Sequence, residues 1–120
     1  MDGALMDDAL RAVADPTRRA ILRLVRDGEL PAGQIAEQFP DMSRPAVSQH
    51  LRVLTDAGLV DVRAVGNRRL YRWRPEGLQD TVTFIEDMWA DKLARLKLAA
   101  ERAEWPERAR AAKSKQKGKP

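Results

Sequence analysis

Apolar residues recur along this chain at helical spacing in several stretches and at alternating spacing in one. From Ala4 to Ala14 the positions Leu5, Ala9, Leu10 and Val13 fit a period near 3.6, which predicts a first helix. Asp15-Pro16 then reads as an N-cap followed by a proline at the first helical position. It opens a second helix over Thr17 to Asp27, closed by Gly28 and buried along Ala20, Ile21, Leu24 and Val25. Leu30 to Phe39 reads as a third helix with Pro31 at its start and Ile35, Ala36 and Phe39 facing inward. Leu30 stands where a capping Ser or Thr would be expected. Pro40-Asp41-Met42 makes a turn, Ser43 caps the next helix, and Gly58 ends it. On that fourth helix Val47, Leu51 and Leu54 share one side.

Alternation takes over after Gly58. Leu59 to Val65 and Arg68 to Trp73 flank a Gly66-Asn67 turn, the pattern of a two-stranded hairpin in which Val62, Leu70 and Trp73 supply core or hairpin-face positions. From Pro75 the helical period returns, with Leu78, Val82, Ile85, Trp89, Leu93 and Leu96 on one stripe of a long helix. Such a helix exceeds what a domain of 120 residues needs for its own core, so the surplus face calls for a partner. A helix-turn-helix followed by a hairpin is a winged helix-turn-helix. The expected fold class is therefore mainly α with a small β-hairpin, dimeric through the first and last helices. Leu5, Leu10, Leu78, Val82, Ile85, Trp89, Leu93 and Leu96 are the candidate dimer interface.

The polar side of the fourth helix gives the chemistry. Pro45, Ser48, Gln49 and Arg52 lie opposite the apolar trio, and Arg, Gln and Ser are side chains that fit base edges in a DNA major groove. Taken alone, this is equally an amphipathic helix showing polar residues to water. The hairpin that follows, with Arg68 and Arg69 at its tip and Gly66 and Asn67 shaping the turn, favours a recognition helix and a wing. The candidate DNA-binding residues are Ser43, Arg44, Pro45, Ser48, Gln49, Arg52, Asn67, Arg68 and Arg69. Arg44 suits a phosphate or a base, and Tyr71 suits either packing or a phosphate. Between Ser43 and Trp73 six arginines (44, 52, 63, 68, 69 and 72) face two acids (56 and 61), so this segment alone carries +4, the formal net charge of the whole chain. Arg18, Arg19, Arg23 and Arg26 read as surface residues of the second helix.

Together the runs DPTRRAILRLV, SRPAVSQHLRVLTDAGLV and GNRRLYRW resemble the ArsR family of bacterial winged-helix transcriptional repressors, over roughly residues 5 to 100. The resemblance implies a small homodimeric repressor that binds a palindromic operator, often that of its own gene. Well-known branches of this family sense metals through a cysteine pair before the recognition helix or through His and Asp on the last helix. This chain has no cysteine, and the segment Gln34 to Phe39 carries no thiol. Its single histidine, His50, lies near the edge of the apolar face of the fourth helix, a place for packing or hydrogen bonding. Glu86, Asp87, Asp91 and Glu101 read as a solvated face. No metal and no cofactor are expected.

Length and a 43% hydrophobic content suit one domain over residues 1–106, followed by a disordered basic tail over 107–120 with Arg108, Arg110, Lys113, Lys115, Lys117 and Lys119. The tail reads either as a salt-sensitive DNA contact or as a solvated segment. An acidic start (MDGALMDD) and the lack of a long apolar run point to the cytoplasm, with no membrane partner. Without a nucleophile-and-base pair or a glycine-rich phosphate loop, enzymatic chemistry is not expected. Double-stranded DNA and a second copy of the chain are the expected partners. A small apolar effector against Met88, Trp89 and Trp105 is a further use of the last helix. The alternative functions are a non-specific nucleoid or RNA-binding protein, and a winged-helix module that binds another protein.

Overall fold

The computed structural model describes residues 2–103. In chain order the elements are α1 (Asp2–Val13), α2 (Pro16–Val25), β1 (Leu30–Pro31), α3 (Ala32–Glu37), α4 (Arg44–Asp56), β2 (Val60–Val65), β3 (Arg68–Trp73), a single 3₁₀ turn (Pro75–Leu78) and α5 (Gln79–Arg102). The chain divides after Val82 into two units. Trp105 and the basic tail lie outside the described residues.

The first unit is held by one apolar core to which every helix and the sheet contribute: Ala9 and Ala12 of α1, Ile21 and Val25 of α2, Ile35 of α3, Val47, Leu51 and Leu54 of α4, with Leu59, Val60 and Tyr71. Small residues, not leucines, face inward from α1. Leu5 and Leu10 remain exposed, which leaves them free to meet something else. Of the two roles open to Tyr71, packing is the one observed.

Local signals set the helix ends. Asp15 caps α2, its carboxylate accepting from the amide of Arg18 at 3.0 Å, with Pro16 in the first turn. Arg18 and Arg19 turn back to the end of α1. Arg18 donates from Nε to the Ala12 carbonyl at 2.7 Å and from Nη2 to that of Arg11 at 3.1 Å, while Arg19 donates to Val13 at 2.7 Å. The last carbonyls of a helix have no partner within it, so these two arginines do work that their sequence positions did not advertise.

The third helix is shorter than its sequence suggests. Leu30 and Pro31 are not helical: they form a short strand paired with β3 in the register Leu30↔Tyr71 and Pro31↔Leu70. The residue before a proline is pushed towards extended backbone, and a proline lacking an N–H is tolerated on an edge strand. The sheet therefore has three strands in the order β1-β3-β2, and α3 starts at Ala32 with no side-chain cap. β2 and β3 pair from Val60↔Trp73 to Val65↔Arg68, which leaves Gly66-Asn67 as a two-residue turn with Gly66 at φ +60.

Helix α4 closes with a Schellman arrangement. The amide of Leu59 bonds to the carbonyl of Leu54 and that of Gly58 to Thr55, both at 3.0 Å, and Gly58 takes the left-handed φ of +76. Pro75 does not begin the last helix. The 3₁₀ turn intervenes, and Leu78 packs against the core of its own chain, which withdraws it from the exposed stripe and from the candidate dimer face.

In the second unit α5 continues as an exposed helix. Over its 24 residues it runs about 36 Å at ~1.5 Å per residue. Among the described residues no helix is long and apolar enough to cross a membrane.

Candidate nucleic-acid interface

Helix α4 is gripped from behind and bare in front. Val47, Leu51 and Leu54 are buried, while Arg44, Pro45, Ser48, Gln49 and Arg52 are all exposed on the other side. Ser43 is engaged as the cap, its Oγ accepting from the Ala46 amide at 3.2 Å, so its part is to fix where the helix begins. Arg44 and Pro45 stand at that N-terminal end, where the helix dipole favours an anion. The Arg44 guanidinium reaches back over α3: its Nη1 is 4.0 Å from where a Cβ on Gly33 would stand. Arg52 lies 4.0 Å from Asp56 one turn on, both well exposed, a pairing weak enough to give way to another partner.

The wing brings Asn67, Arg68 and Arg69 to its exposed tip. Among the described residues no carboxylate lies within ion-pair distance of Arg44, Arg68 or Arg69. The other arginines of this segment are committed elsewhere. Arg63 is held two-pronged by Glu29, with Nε to Oε2 at 3.0 Å and Nη2 to Oε1. Asp61 is approached by Arg72 at 3.6 Å and by Arg74 at 3.9 Å. The local excess of charge seen in the sequence is thus partly cancelled by Glu29, which lies outside the segment but folds against it. The free positive charge concentrates at the start of α4 and the tip of the wing.

The exposed stripe of α5 includes Val82, Ile85, Trp89, Leu93 and Leu96, with Phe84, Met88 and Leu98 exposed on its other sides. An open groove of about 820 Å³ lies between the end of α2 and the sheet, lined by Val25, Glu29, Val62, Arg63, Leu70 and Trp73 among others.

A family model described as a helix-turn-helix domain matches residues 13–63. Over 87 residues the chain is 46% identical to the HTH-type transcriptional regulator Rv2034 of Mycobacterium tuberculosis, a match that spans 72% of this chain and 80% of that protein. It is 36% identical over 80 residues to the transcriptional repressor SdpR of Bacillus subtilis, covering 67% of this chain and 88% of that one. The fold matches that of an ArsR-like transcriptional regulator from Rhodococcus sp. RHA1 with a TM-score of 0.67 at 29% identity, over 85% of this chain and 95% of the other. The chain belongs to the ArsR family. It is a winged helix-turn-helix transcriptional regulator, as its three motifs implied.

Within this ArsR-family chain the matched stretch runs from the end of α1 into β2 and contains all of α4. Two acidic groups inside that span, Asp15 and Glu29, are held below the usual carboxylate range. For Asp15 the main cause is the hydrogen bond from the Arg18 amide, aided by the charges of Arg18 and His50 and opposed by burial. For Glu29 it is the side-chain hydrogen bond from Arg63. A depressed carboxylate stabilises the fold above its unfolded pKa of about 4 and loses that contribution as pH falls through the lower folded value. Urea midpoints should therefore hold down to the ordinary carboxylate range and fall below it. In Asp15→Asn part of that acid dependence should vanish, and an unchanged profile would remove Asp15 from the account.

Proposed function

We propose that this chain acts as a homodimeric repressor that reads an inverted-repeat operator through α4 and grips its flanks with the wing. One observation carries the proposal. The side chains suited to base edges, Ser48, Gln49 and Arg52, stand exposed on a helix whose opposite side is wholly buried, so they are presented from a rigid support. Arg68 and Arg69, exposed and free of acids, would meet phosphates or a flanking minor groove. Dimerisation is supported by the exposed apolar residues of α5 and by Leu5 and Leu10 of α1, which a second copy would cover. Two recognition helices of a dimer meet successive major grooves about 34 to 36 Å apart, which is why an inverted repeat with half-sites one turn apart is the fitting target. Blocking polymerase at such a site, including that of its own gene, is the proposed action.

The test is fluorescence anisotropy on the duplex that precedes its own gene and on a shuffled duplex of equal composition, across a salt series. Preference for the first at near-physiological salt supports a specific regulator. Equal binding that fades steeply with salt would support the non-specific alternative instead. Gln49→Ala or Arg52→Ala should cost about 1 to 3 kcal/mol of preference at particular base positions. Arg68→Ala should weaken binding to all sequences alike and flatten the salt dependence. If Gln49 and Arg52 can be replaced without loss of base preference, α4 is not the reading element.

A further inference from the structure

The only histidine of the chain sits on the recognition helix, half-buried, in contact with the corner where α1 meets α2. Arg18 Nη1 lies 3.3 Å from His50 Nδ1. The same guanidinium holds the carbonyls of Ala12 and Arg11 at the end of α1, and the backbone amide of Arg18 is bonded to Asp15. A guanidinium has donors only and keeps its proton, so in this contact Nδ1 must accept. The imidazole is then neutral, with its hydrogen on Nε2.

We propose that Arg18 is a positioning residue for DNA recognition: it ties the base-reading helix to the end of α1 through His50. The inference rests on the reading of α4 given above. Asp15 Oδ2 stands 4.0 Å from the same Nδ1. Among the described residues these are the charged groups within ion-pair or hydrogen-bond distance of the imidazole. α2 supplies Arg18 and its cap supplies Asp15, while α1, α3 and β2, which also pack near α4, bring none. Through the Arg18 bond α4 is fixed to the corner where α1 meets α2. Gln49 is the neighbouring residue and Arg52 lies two further on, and base reading tolerates a displacement of well under about 1 Å.

A single histidine makes the tie directly visible by long-range proton–nitrogen spectra of the imidazole, without any DNA. At about pH 7.5 the wild-type protein should show the Nε2–H form with a bare, hydrogen-bonded Nδ1, and Arg18→Gln should move the Nδ1 resonance. An Nδ1–H form would overturn the proposal. The functional readout is the ratio of affinities for the upstream duplex and its shuffled counterpart. This ratio should fall about threefold to tenfold in Arg18→Gln, the worth of one hydrogen bond. His50→Asn sets an amide oxygen near the place of Nδ1 and should keep most of the wild-type ratio. His50→Leu should show the same low ratio as Arg18→Gln. A role confined to stability would not produce this pattern, since Asn and Leu would then differ only in thermal midpoint. Full discrimination in His50→Leu, or its loss in His50→Asn, would sink the idea. Should the wild type fail to discriminate, the recognition reading and the DNA part of this inference both fail, and the spectra alone decide whether Arg18 holds α4.

Discussion

Gly77→Ala should lower the stability of this protein by about 3 kcal/mol or more, a large part of the ~5 to 15 kcal/mol that holds a small domain together. A Cβ at position 77 would stand 2.1 Å from the carbonyl oxygen of Gly58, 2.8 Å from its carbonyl carbon and 3.1 Å from Leu59 Cδ2. The first two are backbone atoms and cannot swing aside as the end of a side chain would. Nor is that backbone free to retreat. Gly58 is fixed in the left-handed conformation by the cap of α4, and its oxygen accepts from Arg74 Nη1 at 3.1 Å. The amide of Arg74 bonds to the carbonyl of Leu59 at 2.9 Å, and that of Gly77 to the carbonyl of Arg74 at 3.1 Å. The 3₁₀ turn and the end of α4 are thereby pressed backbone to backbone, and a methyl group must force them apart. Urea unfolding followed by circular dichroism reads the loss. Gly28→Ala is the control, since a Cβ there meets nothing within 4 Å, and it should change stability by less than about 1 kcal/mol. Equal midpoints for the two variants would mean that the close approach does not exist in solution.

Gly77 illustrates which parts of this molecule were legible beforehand. Where a feature is set by neighbours in sequence, it could be read: Ser43 and Gly58 bracket α4, the spacing of Val47, Leu51 and Leu54 gives its buried side, and Gly66-Asn67 announces the hairpin. The exposed candidates Ser48, Gln49, Arg52, Arg68 and Arg69 follow from those elements, because once the buried side is known the other side is determined. What escaped depends on residues that meet only after folding. Glu29 and Arg63 are 34 positions apart, and no periodicity links them. Two residues are too few to show alternation, so β1 looked like the start of a helix. Arg18 and Arg19 belong to α2 but satisfy α1, and the pattern of their own helix marks them only as surface. Apolar Leu5 and Leu10 fit the period of α1 and stay exposed, while Ala9 and Ala12 take the inner positions, a division that periodicity alone does not make.

The same distinction between inner and outer apolar residues leads to the second large effect. The double substitution Trp89→Glu, Leu93→Glu should convert a dimer to a monomer and weaken binding to the upstream duplex by about 10² to 10⁴, the gain that two linked binding elements have over one. Both residues are more than half exposed, at 59% and 58%, and four positions apart on α5 they lie on one stripe. Nothing in the core of the first unit depends on them, because that core is built from α1 to α4 and the sheet of a single chain. Two carboxylates on an exposed stripe therefore leave each chain folded, while in a dimer they would be buried opposite two more, at a cost of several kcal/mol. Sedimentation at micromolar concentration separates the states, and circular dichroism confirms that the helices persist. The salt dependence adds a check that mere loss of fold would not pass: with half the phosphates engaged, the slope of log affinity against log salt should fall to about half its wild-type value. A wild-type protein that sediments as a monomer while binding the duplex tightly, or a variant that stays dimeric, would mean that the exposed stripe of α5 is not where two copies meet.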